Sequence, residues 1–269
     1  MRRVAYRVTN HLRRFGCSIL LATVTACIQR TYVEPWTHIM FVRVPAGEFV
    51  MGSAPADPDR RPDETPHRVA ISHPFYMSVT EVTQAQWIAV MGYNPSFFRS
   101  SGPNAPVERV SWNEIQAFLQ RLNVRGEGHF RLPTEAEWEY ACRCGTASAY
   151  GIGERLSTDE ANYDGRDSGG RYRGHTIAVG SFPANRWGLF DMNGNVWEWC
   201  ADEYCAYPSR AVRDPVNQCG SRVKVIRGGS WYFGADSARC ALRYTHEPQL
   251  RGFSLGFRIV RDDRFAAPR

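Results

Sequence analysis

The sequence predicts a single α+β domain. Three stretches carry helical signals, two of them opened by capping boxes, short apolar runs between them read as strands, and the half after Gly145 is rich in glycine, aromatic residues and short extended runs. With 269 residues and 43% hydrophobic content, the chain can bury one substantial core.

The first element reads as a leader. Arg2, Arg3, Arg7, Arg13 and Arg14 form a basic segment without an acid, and residues 15–26 are apolar, long enough for a secretory signal and too short to span a bilayer. The segment ends in Val24-Thr25-Ala26-Cys27, which resembles a bacterial lipobox. Cleavage is therefore expected after residue 26, leaving Cys27 as a lipidated first residue. That predicts an exported, membrane-anchored bacterial lipoprotein, periplasmic or cell-surface. Residues 27–38 then read as the lipidated cysteine and a tether, 39–261 as the domain and 262–269 as a tail.

Within the domain, residues 39–44 run apolar as a strand does, and Phe49-Val50-Met51 can pair with them through a turn at Ala46-Gly47. Four prolines and many charges make residues 54–66 an exposed loop, and residues 69–82 read as extended again. Helical spacing begins at Thr83, where Trp87, Ile88 and Met91 recur before Gly92 stops the helix. Ser111-Trp-Asn-Glu114 is a capping box, in which serine and glutamate satisfy each other's free amides. Ile115, Phe118, Leu119 and Leu122 then form one apolar stripe. Thr134-Glu-Ala-Glu137 repeats the device after Pro133, with Trp138, Ala141 and Cys142 facing inward and Gly145 as the stop.

Charge narrows the function. Of 33 basic residues five lie in the leader, leaving 28 against 27 acids, a net charge of +1. Only Lys224 is a lysine and no basic run occurs, so nucleic acid is not an expected partner. Besides Cys27, the exported chain holds Cys142, Cys144, Cys200, Cys205, Cys219 and Cys240. An even number in an oxidising compartment reads as disulfide staples whose pairing stays open, and Cys142 and Cys144 are too close to pair with each other easily. His38, His67, His73, His129, His175 and His246 show no metal-ligand spacing.

Four blocks stand in fixed order: Arg131-Leu-Pro-Thr-Glu-Ala-Glu-Trp-Glu139, Asn193-Gly-Asn-Val-Trp-Glu-Trp199, Arg227-Gly-Gly-Ser-Trp231 and Leu255-Gly-Phe-Arg258. Together they resemble the formylglycine-generating enzyme, or sulfatase-modifying factor, family over residues 39–261. The resemblance implies an irregular fold related to C-type lectins, with few helices, short strands and many loops. It also implies a structural calcium site at Asn193, Gly194, Val196 and Glu198, two through side chains and two through carbonyls, since a hard cation takes oxygen ligands on a tight turn. Trp199, Arg227 and Ser230 match positions that line the family's substrate cleft. After Gly-Gly-Ser, however, where the enzymes carry a copper-binding cysteine pair, this chain reads Trp231-Tyr-Phe-Gly-Ala-Asp-Ser237. Copper(I) selects sulfur ligands, so no copper and no formylglycine generation are expected here.

A binding role is expected instead. Between fixed family positions stand Trp231, Tyr232, Phe233, Gly234, Ser237, Leu242, Tyr244, His246, Leu250, Gly252, Phe253 and Ser254. Aromatic, serine and glycine residues on loops of a rigid scaffold give contact area at low entropic cost. The stretch is similar to that of the variable proteins of diversity-generating retroelements, and apart from Trp231 these residues can be reached from an asparagine codon by changing its adenines. The expected ligand is a protein or small molecule of unknown identity; a metal-dependent oxidase or protein-modifying enzyme is the alternative.

Overall fold

The computed structural model describes residues 31–125 and 128–263. The leader, Cys27 and all but the first residues of the expected tail lie outside the described residues. In chain order the first elements are β1 (Thr31–Val33), β2 (Met40–Val44), β3 (Gly47–Met51), β4 (His67–Ile71), β5 (Phe75–Ser78), α1 (Gln84–Met91) and α2 (Trp112–Arg125). Next come β6 (Phe130–Arg131), α3 (Glu135–Arg143), β7 (Trp197–Glu203) and β8 (Val212–Arg213). The chain then runs through β9 (Lys224–Arg227), β10 (Tyr244–His246), β11 (Leu255–Gly256) and β12 (Val260–Asp262). This is an α+β fold with few helices, as the sequence implies.

Among the described residues the strands form three small sheets, ordered β1-β2-β5-β12-β6, β10-β9-β7-β11 and β3-β4-β8. In the first, β12 lies between β5 and β6 and closes the fold with the end of the chain. Two expectations need correction. Residues 31–33, read as tether, already pair with β2 as an edge strand. The hairpin expected across Ala46-Gly47 does not form, because β2 pairs with β1 and β5 while β3 pairs with β4 in another sheet. Gly47 serves a close approach instead of a hairpin turn: the hydroxyl of Tyr140 on α3 takes the space a side chain there would need.

All three helices start as local chemistry dictates. Thr83 and Gln86 cap each other at 3.2 and 2.9 Å, Ser111 and Glu114 at 3.2 and 3.0 Å, and Thr134 and Glu137 at 3.1 and 2.8 Å. In α1 the buried side chains are Gln84, Trp87 and Val90, whereas Ile88 is exposed. The stripe of α2 is buried as expected. Trp87 stacks on Phe118 with centroids 5.4 Å apart, and Phe257 meets both edge-on.

Helix α3 is buried all round, charges included. Burial of charge is tolerable only with partners, and each has them. Glu139 pairs with Arg143 at 2.8 Å and with Arg227, and Glu135 takes Arg243 at 2.7 Å. Although burial disfavours its charge, Arg143 and Arg227 hold the Glu139 carboxyl below the usual range. Disulfides join Cys142 to Cys240 and Cys205 to Cys219. Cys144 and Cys200 are not staples: both are buried free thiols, pushed up by burial. Cys144 ends α3 in a left-handed conformation with its sulfur 3.3 Å from the Gly151 carbonyl, and Cys200 sits inside β7, so neither reaches the other.

Candidate binding face

The segment after β9 is fixed by its main chain. Gly228 and Gly229 have positive φ, and a side chain on Gly229 would collide with the Ser237 carbonyl and Ala238, so the turn at 235–238 can lie directly on the glycine pair. The Trp231 amide donates to Asn195 at 3.0 Å, Asp164 donates to the Phe233 carbonyl at 2.9 Å, and Cys240 is tied to α3 by its disulfide. The Arg227 guanidinium, fully buried, donates to the carbonyls of Cys240, Ala241 and Leu242 at 2.7–2.9 Å. Further on, Arg109 donates to Gly252 and Trp197 to Ser254. Backbone bonds thus hold these loops, which leaves several side chains without a structural task.

Those side chains face outward. Tyr232 is 50% exposed, and Phe233, Tyr244, Leu250 and Phe253 are exposed as well. Gly234, His246, Gly252 and Ser254 are half-buried. Burial pushes the His246 imidazole below its usual value. Trp231, Ser237 and Leu242, also expected on this face, are buried. Leu242 is 1% exposed and joins Trp87 and Phe118 in the core, because Arg227 and the disulfide turn this short segment inward.

Trp231 is the floor of the face. Phe98, Tyr232, Phe253 and Tyr172 surround its ring with centroids 5.2–6.0 Å away, and its indole N–H is buried without a hydrogen-bond partner among the described residues. Phe97, 64% exposed, reaches Phe253 at 6.5 Å; Phe233 and Tyr244 continue the patch across Trp197. Sequence reasoning missed Phe97, Phe98 and Tyr172, which arrive from distant loops. The available signal was two adjacent phenylalanines in the loop that follows the helix stop at Gly92.

A buried carboxyl supports the contributed loop. Glu108 accepts the Phe98 amide at 2.8 Å, and burial pushes its pKa up to about 7 against the opposing pull of the Phe98 and Phe97 amides. Asp202, beside the start of α3, is pushed up to about 7 by burial and by the charge of Glu135. Both values lie above those of the unfolded chain, so the stabilisation is fully present below about pH 4 and is lost as pH rises through about 7. Denaturant unfolding should therefore give a stability lower by on the order of 2 kcal/mol at pH 8 than at pH 5; equal stability at both would contradict these assignments.

The expected calcium residues meet in one buried loop, but with other partners. Glu198 receives Arg258 through Nε at 2.7 Å and a terminal nitrogen at 2.8 Å, and the Trp138 indole at 2.7 Å. The Asn193 amide donates to the Ala238 carbonyl at 2.7 Å. Gly194 serves a close approach, since a side chain there would strike the Asn162 carbonyl. Both Glu198 oxygens accept bonds here and a guanidinium balances its charge, so the carboxylate is satisfied by Arg258 and Trp138. Trp199, Arg227 and Ser230, expected to line a cleft, are buried. No cysteine lies between Ser230 and Cys240, and the Cys240 sulfur is in a disulfide.

The sulfatase-modifying factor enzyme 1-like domain matches residues 32–263. The chain belongs to that family. Among its relatives, the formylglycine-generating enzyme of Streptomyces coelicolor is 32% identical over 82% of this chain and 88% of its own length. A protein of Chlamydia pneumoniae named serine/threonine-protein kinase pkn1 is 30% identical over 82% of this chain; the match spans only 38% of that kinase. Among solved structures, the Treponema denticola variable protein 1 superposes with a TM-score of 0.75 and 27% identity, covering 87% of this chain and 99% of that one. The family fold thus occurs both in enzymes and in a protein described as variable.

Proposed function

We propose that this chain is an exported, lipid-anchored binding protein that presents the aromatic face around Trp231 to a protein partner, and that a retroelement diversifies the face. The observation that carries this reading is the division of labour in residues 231–254. Main-chain bonds hold the loops, and the side chains of Tyr232, Phe233, Tyr244, Leu250 and Phe253 stand free of the core. Such a surface tolerates substitution without loss of fold, and exposed aromatics on a rigid base suit protein contact. Side by side, the exposed rings offer contact area suited to a broad partner. The likeness to a variable protein supports diversification.

Sequencing codons 225–260 across clonal descendants tests diversification. Substitutions should fall on Tyr232, Phe233, Tyr244, His246, Leu250 and Phe253 and spare buried Trp231, Ser237 and Leu242, with a near-copy of the stretch beside the gene. An invariant segment without such a copy removes the retroelement from the proposal. The anchor is tested separately. Cys27→Ala should release the protein from the membrane fraction, and a variant that stays bound overturns the lipobox reading.

The oxidase reading draws on the formylglycine-generating relative. Its chemistry needs a thiolate pair beside the cleft, and here the position after Ser230 holds rings. Oxygen consumption with a thiol peptide by purified protein would reinstate it.

A further inference from the structure

A second site lies away from the aromatic face. The cavity of about 750 Å³ is bounded by β3, the 53–59 loop and the end of α3. Its apolar surface includes the rings of Phe49, Tyr140 and Tyr150. Four carboxylates, Glu48, Asp57, Asp59 and Glu154, stand among its lining residues. The two arginines in the wall offset them only in part. Arg143 is bound to buried Glu139 at 2.8 Å, while Arg239 is bound to buried Glu64 at 2.8 Å and also reaches Asp57 at 3.6 Å, which leaves Glu48, Asp59 and Glu154 without an arginine partner among the described residues.

The polar group placed in this cavity is the Tyr140 hydroxyl. Tyr140 is 5% exposed, its hydroxyl lies against Gly47, which lines the same cavity, and it has no hydrogen-bond partner among the described residues. Carboxylates beside aromatic rings disfavour anions and suit cations, and the open hydroxyl oxygen can accept from an N–H. An inorganic ion would leave the rings unused. An ammonium ion with an apolar body uses both, because the ring faces carry negative potential and the carboxylates raise the local cation concentration. The volume is that of a small-molecule site.

We propose that this cavity binds an organic ammonium cation. A free ammonium compound and a lysine side chain of a partner carry the same chemistry, so the test has two arms. Calorimetric titration of the full chain in detergent at low ionic strength uses choline, its uncharged isostere 3,3-dimethylbutan-1-ol, and trilysine. Choline should bind at least about tenfold more tightly than the alcohol. The exposed pair Glu48→Gln with Asp59→Asn should weaken choline at least about tenfold while leaving the melting temperature unchanged. Tyr140→Phe should weaken it less, and Tyr232→Ser on the aromatic face not at all. Trilysine that competes with choline assigns the site to a partner's side chain; choline binding alone assigns it to a free cation. Equal binding of choline and the alcohol, or no binding of either cation, overturns the proposal. Because the aromatic face is untouched, that result leaves the partner-binding reading standing.

Discussion

Glu198→Ala should lower stability by about 3–5 kcal/mol, or roughly 6–20 °C in melting temperature. The Glu198 carboxylate answers three donors at once, two from Arg258 and one from Trp138, and none of the three side chains is exposed. Removing it strands a buried guanidinium and a buried indole N–H. A partial rescue is built in. Burial, together with nearby Asp191 and Glu198, raises the pKa of Glu81 well above its usual range, and Asp191 is raised to about 6 by burial, with Glu198 adding to the rise. Loss of Glu198 lets these neighbours ionise toward Arg258, which places the expected cost at the lower end of the range. Because Arg258 balances the carboxylate charge, chelators should not change the melting temperature of the unaltered protein. A drop with chelator comparable to that of Glu198→Ala would assign the carboxylate to calcium after all.

Tyr232→Ser combined with Phe253→Ser should leave stability within about 1 kcal/mol of the parent and weaken partner binding by more than about 100-fold. Both rings are exposed and rest on Trp231, so their loss removes contact area rather than core. Leu242→Ser is the contrasting control. That side chain is in the core, and its replacement should cost about 2–5 kcal/mol and unfold the protein at lower temperature. If the double serine variant also unfolded early, the aromatic face would be packing surface and not a binding surface.

Much of the fold was legible because its signals are local. A capping box spans four residues, so Ser111 with Glu114 and Thr134 with Glu137 announce α2 and α3 without knowledge of anything distant. Strand partners are not local. Gly47 reads as a turn glycine, and its actual role depends on Tyr140, which reaches it from α3. Likewise nothing near Leu242 in sequence says that Arg227 will pull its carbonyl inward, and nothing near Phe97 says that it will land on Phe253. The residues of the expected calcium loop were recognisable as a set. Their engagement by Arg258 and Ala238 was not, because both come from chain segments that carry no metal signal.

Site-specific photocrosslinking on intact cells tests the binding face most directly. A photoreactive phenylalanine analogue at Tyr232 or Phe253 should give one discrete adduct, and the same group at Val124, 85% exposed on α2, should give none. Adducts of equal yield from all three positions, or none from Tyr232 and Phe253, would contradict a binding role for this face.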